Sequence, residues 1–248
     1  MAPTGLGFGV DVGGSGIKAA PVDLAAGAFT AERVRLDTPQ PATPAAVTAA
    51  VTDLLGDWSG PFGMALPAVV ERGVARTAAN IDPSWIGTDV AALILQATGQ
   101  RATVVNDADA AGVAEATYGA AVGRSGLVLA LTLGTGIGSA LLLDGELIAN
   151  SELGHLEIDG HVAEHRASDA ARKRQELSWA DWAARLTTYL RHVHLLLRPE
   201  LIVLGGGVSR KADRWLHLLD VDVECVPAGL LNDAGIIGAA LLAKRAES

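Results

Sequence analysis

Cysteine is almost absent from this chain, which contains a single one, Cys225, among 248 residues. One thiol cannot form a disulfide within the chain, and it cannot supply a zinc site that is built from several cysteines. This composition is typical of proteins from a reducing compartment, and we therefore expect a cytoplasmic protein.

Long hydrophobic runs are also lacking. The apolar stretches at residues 127–133 and 201–204 are far shorter than the roughly 20 residues that a membrane-spanning helix needs. The first residues contain no basic segment, and Asp11 interrupts their apolar stretch, so we predict no export signal and no membrane partner. The short runs indicate buried strands instead.

Basic residues are outnumbered, since 19 Lys and Arg stand against 28 Asp and Glu and give a net charge of −9. Proteins that bind nucleic acids depend mostly on cations that meet phosphates, so this balance disfavours a nucleic-acid partner. Half of the residues are apolar (50%), which is enough for a sizeable core in one or two domains.

Glycine is abundant, with 29 residues, and it clusters directly after apolar runs. The first cluster lies between two predicted strands at residues 11–18. Glycine N–H groups can approach phosphate oxygens closely, Lys18 adds a positive charge, and Asp11 can hold Mg²⁺ directly or through water. The alternative is an ordinary tight hairpin, because the residues match neither the Walker pattern nor the dinucleotide fingerprint. The candidate donor-binding residues here are Asp11, Gly13, Gly14, Ser15, Gly16 and Lys18.

A second glycine turn repeats the first, because residues 132–144 match residues 11–23 in length and pattern. Two such turns favour a phosphate chain that is bound by two hairpins, and the repetition predicts an α/β fold with two related halves. We expect the halves to comprise residues 1–108 and 109–248, with a long helix at 178–197 that Ser178 caps and a terminal helix at 234–246. The candidate residues of the second turn are Thr132, Gly134, Thr135 and Gly136. A third cluster follows the strand at 201–204 and adds Gly206 and Gly207, at the strand end where α/β folds bind ligands.

Asn106 and Asp107 follow a predicted strand and precede a helix. One interpretation is helix capping, for which both residue types are preferred. The other is that Asp107 accepts a hydroxyl proton in phosphoryl transfer while Asn106 binds a neighbouring hydroxyl. Asn80, on a loop, is either a further polar ligand or an ordinary turn residue.

Glu152 and His155 form a short polar cluster whose carboxylate and imidazole suit sugar hydroxyls, although a lone histidine is usually structural. Glu157 and Glu164 follow closely, and spacing alone does not rank them. Two basic clusters indicate either solvated helix faces or a path for a long polyanion. The candidate residues of that path are Arg166, Arg172, Lys173, Arg174, Arg210 and Lys211.

Together these motifs resemble the ROK family of sugar kinases, along nearly the whole chain. The turns at 11–18 and 132–138 resemble the two phosphate motifs of that family, and residues 152–155 resemble its ExGH sugar motif. The resemblance implies the actin-like ATPase (ribonuclease-H-like) fold, with two lobes and an active-site cleft that closes on glucose and excludes water. It also implies Asp107 as the base, with Asn80, Asn106, Glu152 and His155 as sugar ligands.

One departure concerns zinc, because most family members carry a cysteine-rich loop after the ExGH motif and residues 155–168 contain no cysteine. We therefore expect Mg²⁺ as the cofactor and no zinc. The short length and residues 77–87 and 205–213 resemble the polyphosphate glucokinases of actinobacterial type. That likeness implies transfer from polyphosphate, with or without ATP as a second donor, to the 6-hydroxyl of glucose, and family members are often homodimers.

Three alternatives remain from the sequence. The first is a hexose kinase of the same fold that uses ATP alone. The second is a noncatalytic protein that binds sugar or nucleotide, which the complete motifs disfavour. The third is a sugar-sensing repressor, which would carry an additional DNA-binding domain before Asp11, where the sequence leaves no room for one.

Overall fold

In the computed structural model, which describes residues 5–247, the chain forms fifteen strands and seven α-helices. The strands are β1 Leu6–Val12, β2 Ile17–Asp23, β3 Ala28–Phe29, β4 Val34–Leu36, β5 Phe62–Leu66, β6 Val70–Glu71, β7 Val74–Ala75, β8 Ala102–Asn106, β9 Leu127–Leu133, β10 Ile137–Leu143, β11 Glu146–Ile148, β12 Glu157–Ile158, β13 His161–Val162, β14 Leu201–Gly205 and β15 Glu224–Pro227. The helices are α1 Pro44–Leu55, α2 Val90–Thr98, α3 Asp107–Tyr118, α4 Glu164–Ala167, α5 Asp169–Arg174, α6 Trp179–Leu197 and α7 Ala234–Arg245.

These elements form two compact units. The first unit runs to Ala114 and resumes at Asp233, and the second comprises Glu115–Asn232. The division falls inside α3, whereas the sequence predicts a boundary after residue 108, and the segment from Asp233 onward belongs to the first unit. The reason lies in the two ends of α3, because Ala110 packs against Gly238 of α7 while Glu115 accepts hydrogen bonds from residues 229 and 230.

The first unit is built on a mixed sheet with the strand order β3-β2-β1-β5-β8, and β4 pairs with β2. β1 and β2 are antiparallel, whereas β1, β5 and β8 run parallel. Helices α1 and α2 contribute Val51 and Ile94 to a buried core that also contains Val10 and Trp85. The predicted strand–turn–strand at the start of the chain is therefore the hairpin β1–β2.

Helix α7 lies directly on the first sheet because glycines face it. A Cβ atom at Gly9 would lie 2.0 Å from the carbonyl oxygen of Ile236, and one at Gly63 would lie 1.8 Å from that of Ala239. Any side chain at these positions would push the helix away from β1 and β5. The C-terminal helix expected at residues 234–246 is thus packed within the first unit.

The second unit repeats this sheet, with the strand order β11-β10-β9-β14-β15. β9 and β10 are antiparallel, and β9, β14 and β15 run parallel, so the hairpin β9–β10 corresponds to β1–β2. This agrees with the two related halves predicted from the repeated turns. Its core includes Leu129, Trp182 and Trp215. Helix α6 begins after Ser178, as predicted, where the Ser178 hydroxyl accepts a hydrogen bond from Asp181 N at 3.1 Å. Between residues 5 and 247 there is no helix with the length and apolarity that crossing a membrane requires.

Candidate active site

The first glycine turn joins β1 to β2 and is closed by a hydrogen bond of 3.0 Å from Gly13 N to the carbonyl oxygen of Gly16. The antiparallel register places Asp11 opposite Lys18. Their side chains form a part-buried ion pair with Nζ 3.1 Å from Oδ2. A carboxylate and an ammonium therefore lie together at the end of the sheet, beside the turn.

Three side chains from the segment after β3 donate hydrogen bonds to the backbone carbonyl groups of this turn. Arg35 Nη2 donates to the Ser15 carbonyl at 3.0 Å, Thr38 Oγ1 to that of Gly13 at 2.5 Å and Gln40 Nε2 to that of Gly14 at 3.4 Å. These bonds fix the turn through its carbonyl groups. A Cβ atom at Gly16 would lie 2.7 Å from Arg35 Nε, so a second cation, which pairs with Asp37 at 2.7 Å, touches the turn. No sequence pattern indicated Arg35, because it becomes a neighbour only when β4 pairs with β2.

Asn80 lies against the same turn. A Cβ atom at Gly14 would lie 2.9 Å from the Asn80 carbonyl oxygen, so glycine is needed there for the loop to approach. Asn80 is exposed and has a φ of 61°, a left-handed conformation that asparagine tolerates better than most residues. The structure therefore brings this predicted sugar ligand to the first turn.

Asn106 and Asp107 lie at the end of β8 and the start of α3. The Asn106 side chain is buried, and its Oδ1 accepts from Ala108 N at 2.8 Å and Asp109 N at 3.1 Å. Its Nδ2 donates to the Ala68 carbonyl at 3.1 Å. These bonds show that Asn106 caps the helix, which leaves one Nδ2 hydrogen for a ligand. Asp107 is half-buried, and its Oδ1 accepts from Ala108 N at 2.9 Å.

The second glycine turn joins β9 to β10 and is closed by a bond of 3.0 Å from Gly134 N to the Gly136 carbonyl. Its support is acidic, because Glu164 Oε2 accepts a hydrogen bond of 3.0 Å from Ile137 N. A Cβ atom at Gly136 would lie 2.3 Å from that oxygen, whereas one at Gly134 would meet nothing within 4 Å. The hydroxyl-bearing residues of this turn differ in exposure, since Thr132 is half-buried and Thr135 is exposed.

The predicted sugar motif lies against this second turn. A Cβ atom at Gly154 would lie 2.2 Å from the Ile137 carbonyl oxygen, so only glycine allows the segment to pack there. Leu153 N also donates to Ser139 Oγ of β10 at 2.9 Å. These contacts place Glu152 and His155 on either side of Gly154, next to the turn.

His155 lies between two carboxylates. Its Nδ1 is 3.4 Å from Glu152 Oε2, and its Nε2 is 3.7 Å from Glu164 Oε1. Burial raises the pKa of Glu152, the nearby His155 lowers it, and the charge of Glu164 raises it again. The geometry thus distinguishes the two glutamates that spacing left unranked, because Glu164 joins this cluster while Glu157 is exposed in β12.

The third glycine cluster begins where β14 ends beside β9. Gly206 has a φ of 82°, and a Cβ atom there would lie 2.4 Å from the Leu133 carbonyl oxygen. A Cβ atom at Gly207 would have no neighbouring atom within 4 Å. Arg210 and Lys211 follow on the 3₁₀ segment Gly207–Arg214, not on the helix that the sequence predicts, and both are exposed.

The other basic cluster is partly neutralised. Asp169 lies 3.0 Å from Arg172 Nε and 2.7 Å from Lys173 Nζ. Arg172 also stacks over the Trp179 ring, with its Cζ 4.1 Å from the ring centroid, and Arg174 donates to the His165 carbonyl at 3.2 Å. These bonds give Arg172 and Lys173 structural roles beside the polyanion path that the sequence predicts.

The residues suit Mg²⁺ better than a metal enclosed by protein. Among residues 5–247, no three His, Cys, Asp or Glu side chains lie close enough to hold a metal ion. Asp11 provides a carboxylate beside the first turn, where Lys18 balances its charge. One carboxylate fits Mg²⁺, which usually keeps several waters and takes one or two carboxylates together with substrate phosphates.

Comparisons with known proteins identify relatives over nearly the whole length. The chain is 49% identical to the polyphosphate glucokinase of Mycobacterium tuberculosis (strain CDC 1551) over 238 residues, covering 95% of this chain and 90% of that protein. It is 47% identical to an inorganic polyphosphate/ATP-glucomannokinase from Arthrobacter sp. strain KM, with a TM-score of 0.93 and coverage of 99% and 100%.

A more distant structure bears on the fold. A ROK family glucokinase from Streptomyces griseus, solved with glucose and AMPPNP, is 24% identical, with a TM-score of 0.80 and coverage of 97% and 100%. The expected α/β, actin-like ATPase fold is confirmed by these likenesses. The ROK family model itself matches residues 7–168. Because that match spans more than half of the 248 residues of this chain, the chain belongs to the ROK family.

Proposed function

We propose that this protein is a polyphosphate-dependent glucokinase, which transfers the terminal phosphoryl group of inorganic polyphosphate to the 6-hydroxyl of glucose. The observation that carries the proposal is the 49% identity to a polyphosphate glucokinase across 95% of the chain. The second likeness, to a polyphosphate/ATP-glucomannokinase with a TM-score of 0.93, supports the same donor.

Each unit offers polar groups that suit the hydroxyls of the acceptor. Glu152, His155 and Glu164 accept or donate hydrogen bonds to sugar hydroxyls at the second turn, and Asn80 does so at the first. Asn106 both caps α3 and offers its remaining Nδ2 hydrogen. A cluster of two carboxylates around an imidazole can hold hydroxyls in fixed positions, which aligns the reacting oxygen.

Asp107 acts as the general base. Its carboxylate accepts the proton of the 6-hydroxyl as the new bond from that oxygen to phosphorus forms. The bond from phosphorus to the rest of the polymer breaks at the same time, and the shortened polymer leaves with the electron pair. Because Asp107 begins α3, its place is fixed by the helix and by the buried Asn106 cap.

The donor phosphates are neutralised mainly at the first turn, where Lys18 lies beside Asp11 and Arg35 contacts the Ser15 carbonyl. Glycines of the second turn, with Gly206 and Gly207, provide close backbone contact. Asp11 would hold Mg²⁺ directly or through water, and the ion would supply positive charge to the phosphate oxygens. A homodimer and a cytoplasmic location remain predictions.

ATP is a second candidate donor, because the Arthrobacter relative is named for both polyphosphate and ATP. Mannose is a second candidate acceptor on the same ground, since that relative is a glucomannokinase. The purified protein with Mg²⁺ should form glucose 6-phosphate from glucose and polyphosphate, as measured with a coupled dehydrogenase. Turnover with ATP and none with polyphosphate would replace the proposal with an ATP-dependent hexose kinase. No turnover with either donor would favour a binding protein.

A further inference from the structure

Two adjoining cavities open on the second unit beside α4. One has a volume of about 100 Å³ and the other about 550 Å³. Both are lined by His161, Arg166 and Arg185, so they form one continuous depression, which we call the arginine cavity. Its walls come from the turn between β12 and β13, from α4 and from α6.

The arginine cavity is electropositive because its cations have few counter-ions. The guanidinium of Arg166 has no ion-pair partner among residues 5–247, and Arg185 donates to a neutral group, Gln175 Oε1, at 2.7 Å. His161 and His165 add imidazoles to the lining, and the one acidic residue among the described lining residues is the exposed Asp159. Glu164 Oε1 lies 4.0 Å from His165 Nε2, which leaves the two guanidinium groups as the cations that suit an anion through charge-assisted hydrogen bonds.

A buried hydroxyl at the cavity wall also indicates a ligand site. Tyr189 lines the cavity and is 1% exposed, yet its Oη forms no hydrogen bond within the described chain. Buried polar atoms are nearly always paired, so an unpaired one at a cavity wall indicates a place for a polar ligand or water.

The arginine cavity is close to the second glycine turn. Helix α4 carries Glu164, which accepts a hydrogen bond from Ile137 N of that turn. Arg166 follows two positions later, which places its side chain on the other side of this four-residue helix from Glu164. Ala170 N of α5 also donates to the Gly134 carbonyl at 3.0 Å. A chain of linked phosphates that ends at the turn would therefore have to pass around α4 to reach Arg166.

We propose that the arginine cavity is a second binding site for polyphosphate, which anchors the part of the polymer that does not react. The proposal rests on the proposed function and adds the place where chain length is sensed. Arginine binds phosphate oxygens through two parallel hydrogen bonds, and each added contact on one polymer raises its effective concentration at the reacting end. Short donors such as tripolyphosphate lack the length to occupy the cavity and the turn together.

The test compares the double variant R166Q/R185Q with a matched control. Arg191 is on the same helix as Arg185 but pairs with Asp220, outside the cavity, so R191Q removes one of the two positive charges that the double variant loses, at a place outside the cavity. For each protein we would measure the KM for long-chain polyphosphate and for tripolyphosphate, and the Kd for long-chain polyphosphate by calorimetry at fixed salt. Circular dichroism checks folding, and R185K tests whether charge alone suffices.

In the double variant, the Kd and KM for long-chain polyphosphate should increase about tenfold more than the KM for tripolyphosphate. A tenfold difference corresponds to the loss of one or two charged hydrogen bonds. R191Q should resemble the wild type. Equal effects on both donors, equal behaviour of the double variant and R191Q, or full competition by orthophosphate would overturn the proposal. If the wild type used ATP alone, the proposed function would fail. The calorimetric comparison would still test this site. If the double variant bound long-chain polyphosphate as tightly as the wild type does, the site would be contradicted.

Discussion

The two glycine turns resemble each other in sequence but differ in what supports them. The first turn accepts hydrogen bonds from Arg35, Thr38 and Gln40, and Lys18 lies beside it. The second turn is backed by a carboxylate, since Glu164 accepts the Ile137 N–H and lies against Gly136. We propose that both backbones contact donor phosphates, while the first turn adds cations for those phosphates and the second adds carboxylates for sugar hydroxyls. The variants below test this division.

The largest effect is expected at Asp107, in the unit that contains the cationic turn. We expect D107N to lower kcat by roughly 10²- to 10⁴-fold, because an amide cannot accept the hydroxyl proton. The change keeps the size of the side chain, so the glucose KM should move much less than kcat. Steady-state kinetics of the folded variant would test this.

The matched control for Asp107 is D53N, which changes an exposed aspartate of α1. It should retain wild-type activity. A folded D107N enzyme with full kcat would contradict the role of Asp107 as base.

A second variant addresses the acidic support of the second turn. In G136A the new methyl group would lie 2.3 Å from Glu164 Oε2 and would displace that carboxylate from Ile137 N and from His155. We expect the glucose KM to rise about tenfold, the effect of losing a hydrogen bond to a charged group. Initial rates at varied glucose and saturating donor would measure it.

G134A is the control within the same turn, because a Cβ atom at Gly134 meets nothing within 4 Å. It should leave the glucose KM within about twofold of the wild type, since the added methyl group displaces no neighbouring atom. If G134A and G136A were equally impaired, the glycines would matter for the backbone alone, and Glu164 would carry no special role.

Lys18 tests the cationic side of the comparison. K18Q removes one positive charge beside the first turn and leaves the Asp11 carboxylate without its partner at 3.1 Å. We expect the donor KM to rise about fivefold, which corresponds to about 1 kcal/mol of lost attraction. The glucose KM should change less, and the reverse order in a two-substrate kinetic analysis would refute the division between the turns.

The smallest effect concerns pH. Burial raises the pKa of Glu152 above its ordinary value of 4.5, so on acidification this carboxylate loses its charge earlier than an exposed glutamate does. The glucose KM should therefore begin to rise at a pH above 4.5 in the wild type. Between 4.5 and the raised pKa the native state binds more protons than the unfolded state, so the free energy of unfolding should fall as pH rises through that window.

E152Q should remove both of these pH dependences, and E157Q, which alters the exposed glutamate of β12, should keep them. Glucose KM values and urea unfolding curves across this pH range would distinguish the two variants. Identical profiles for E152Q and the wild type would mean that another group titrates.

Local sequence signals predicted much of the fold. The hairpins β1–β2 and β9–β10, the Ser178 cap of α6 and the terminal helix α7 depend on glycine turns, apolar periodicity and capping residues, which neighbours along the chain determine. The domain boundary was harder to predict from local signals, because α3 continues through it and each end of that helix packs in a different unit.

Residues that reach the candidate site through tertiary contacts were the ones that sequence reasoning did not identify or could not rank. Arg35 touches the first turn because β4 pairs with β2, and Glu164 of α4 reaches the second through its hydrogen bond to Ile137 N. Local spacing signals neither contact, since Arg35 lies 17 positions after its register partner Lys18 and Glu164 lies 27 positions after Ile137. The repeated glycine pattern was informative about backbone, while the difference in charge between the turns came from chain segments that the pattern does not include.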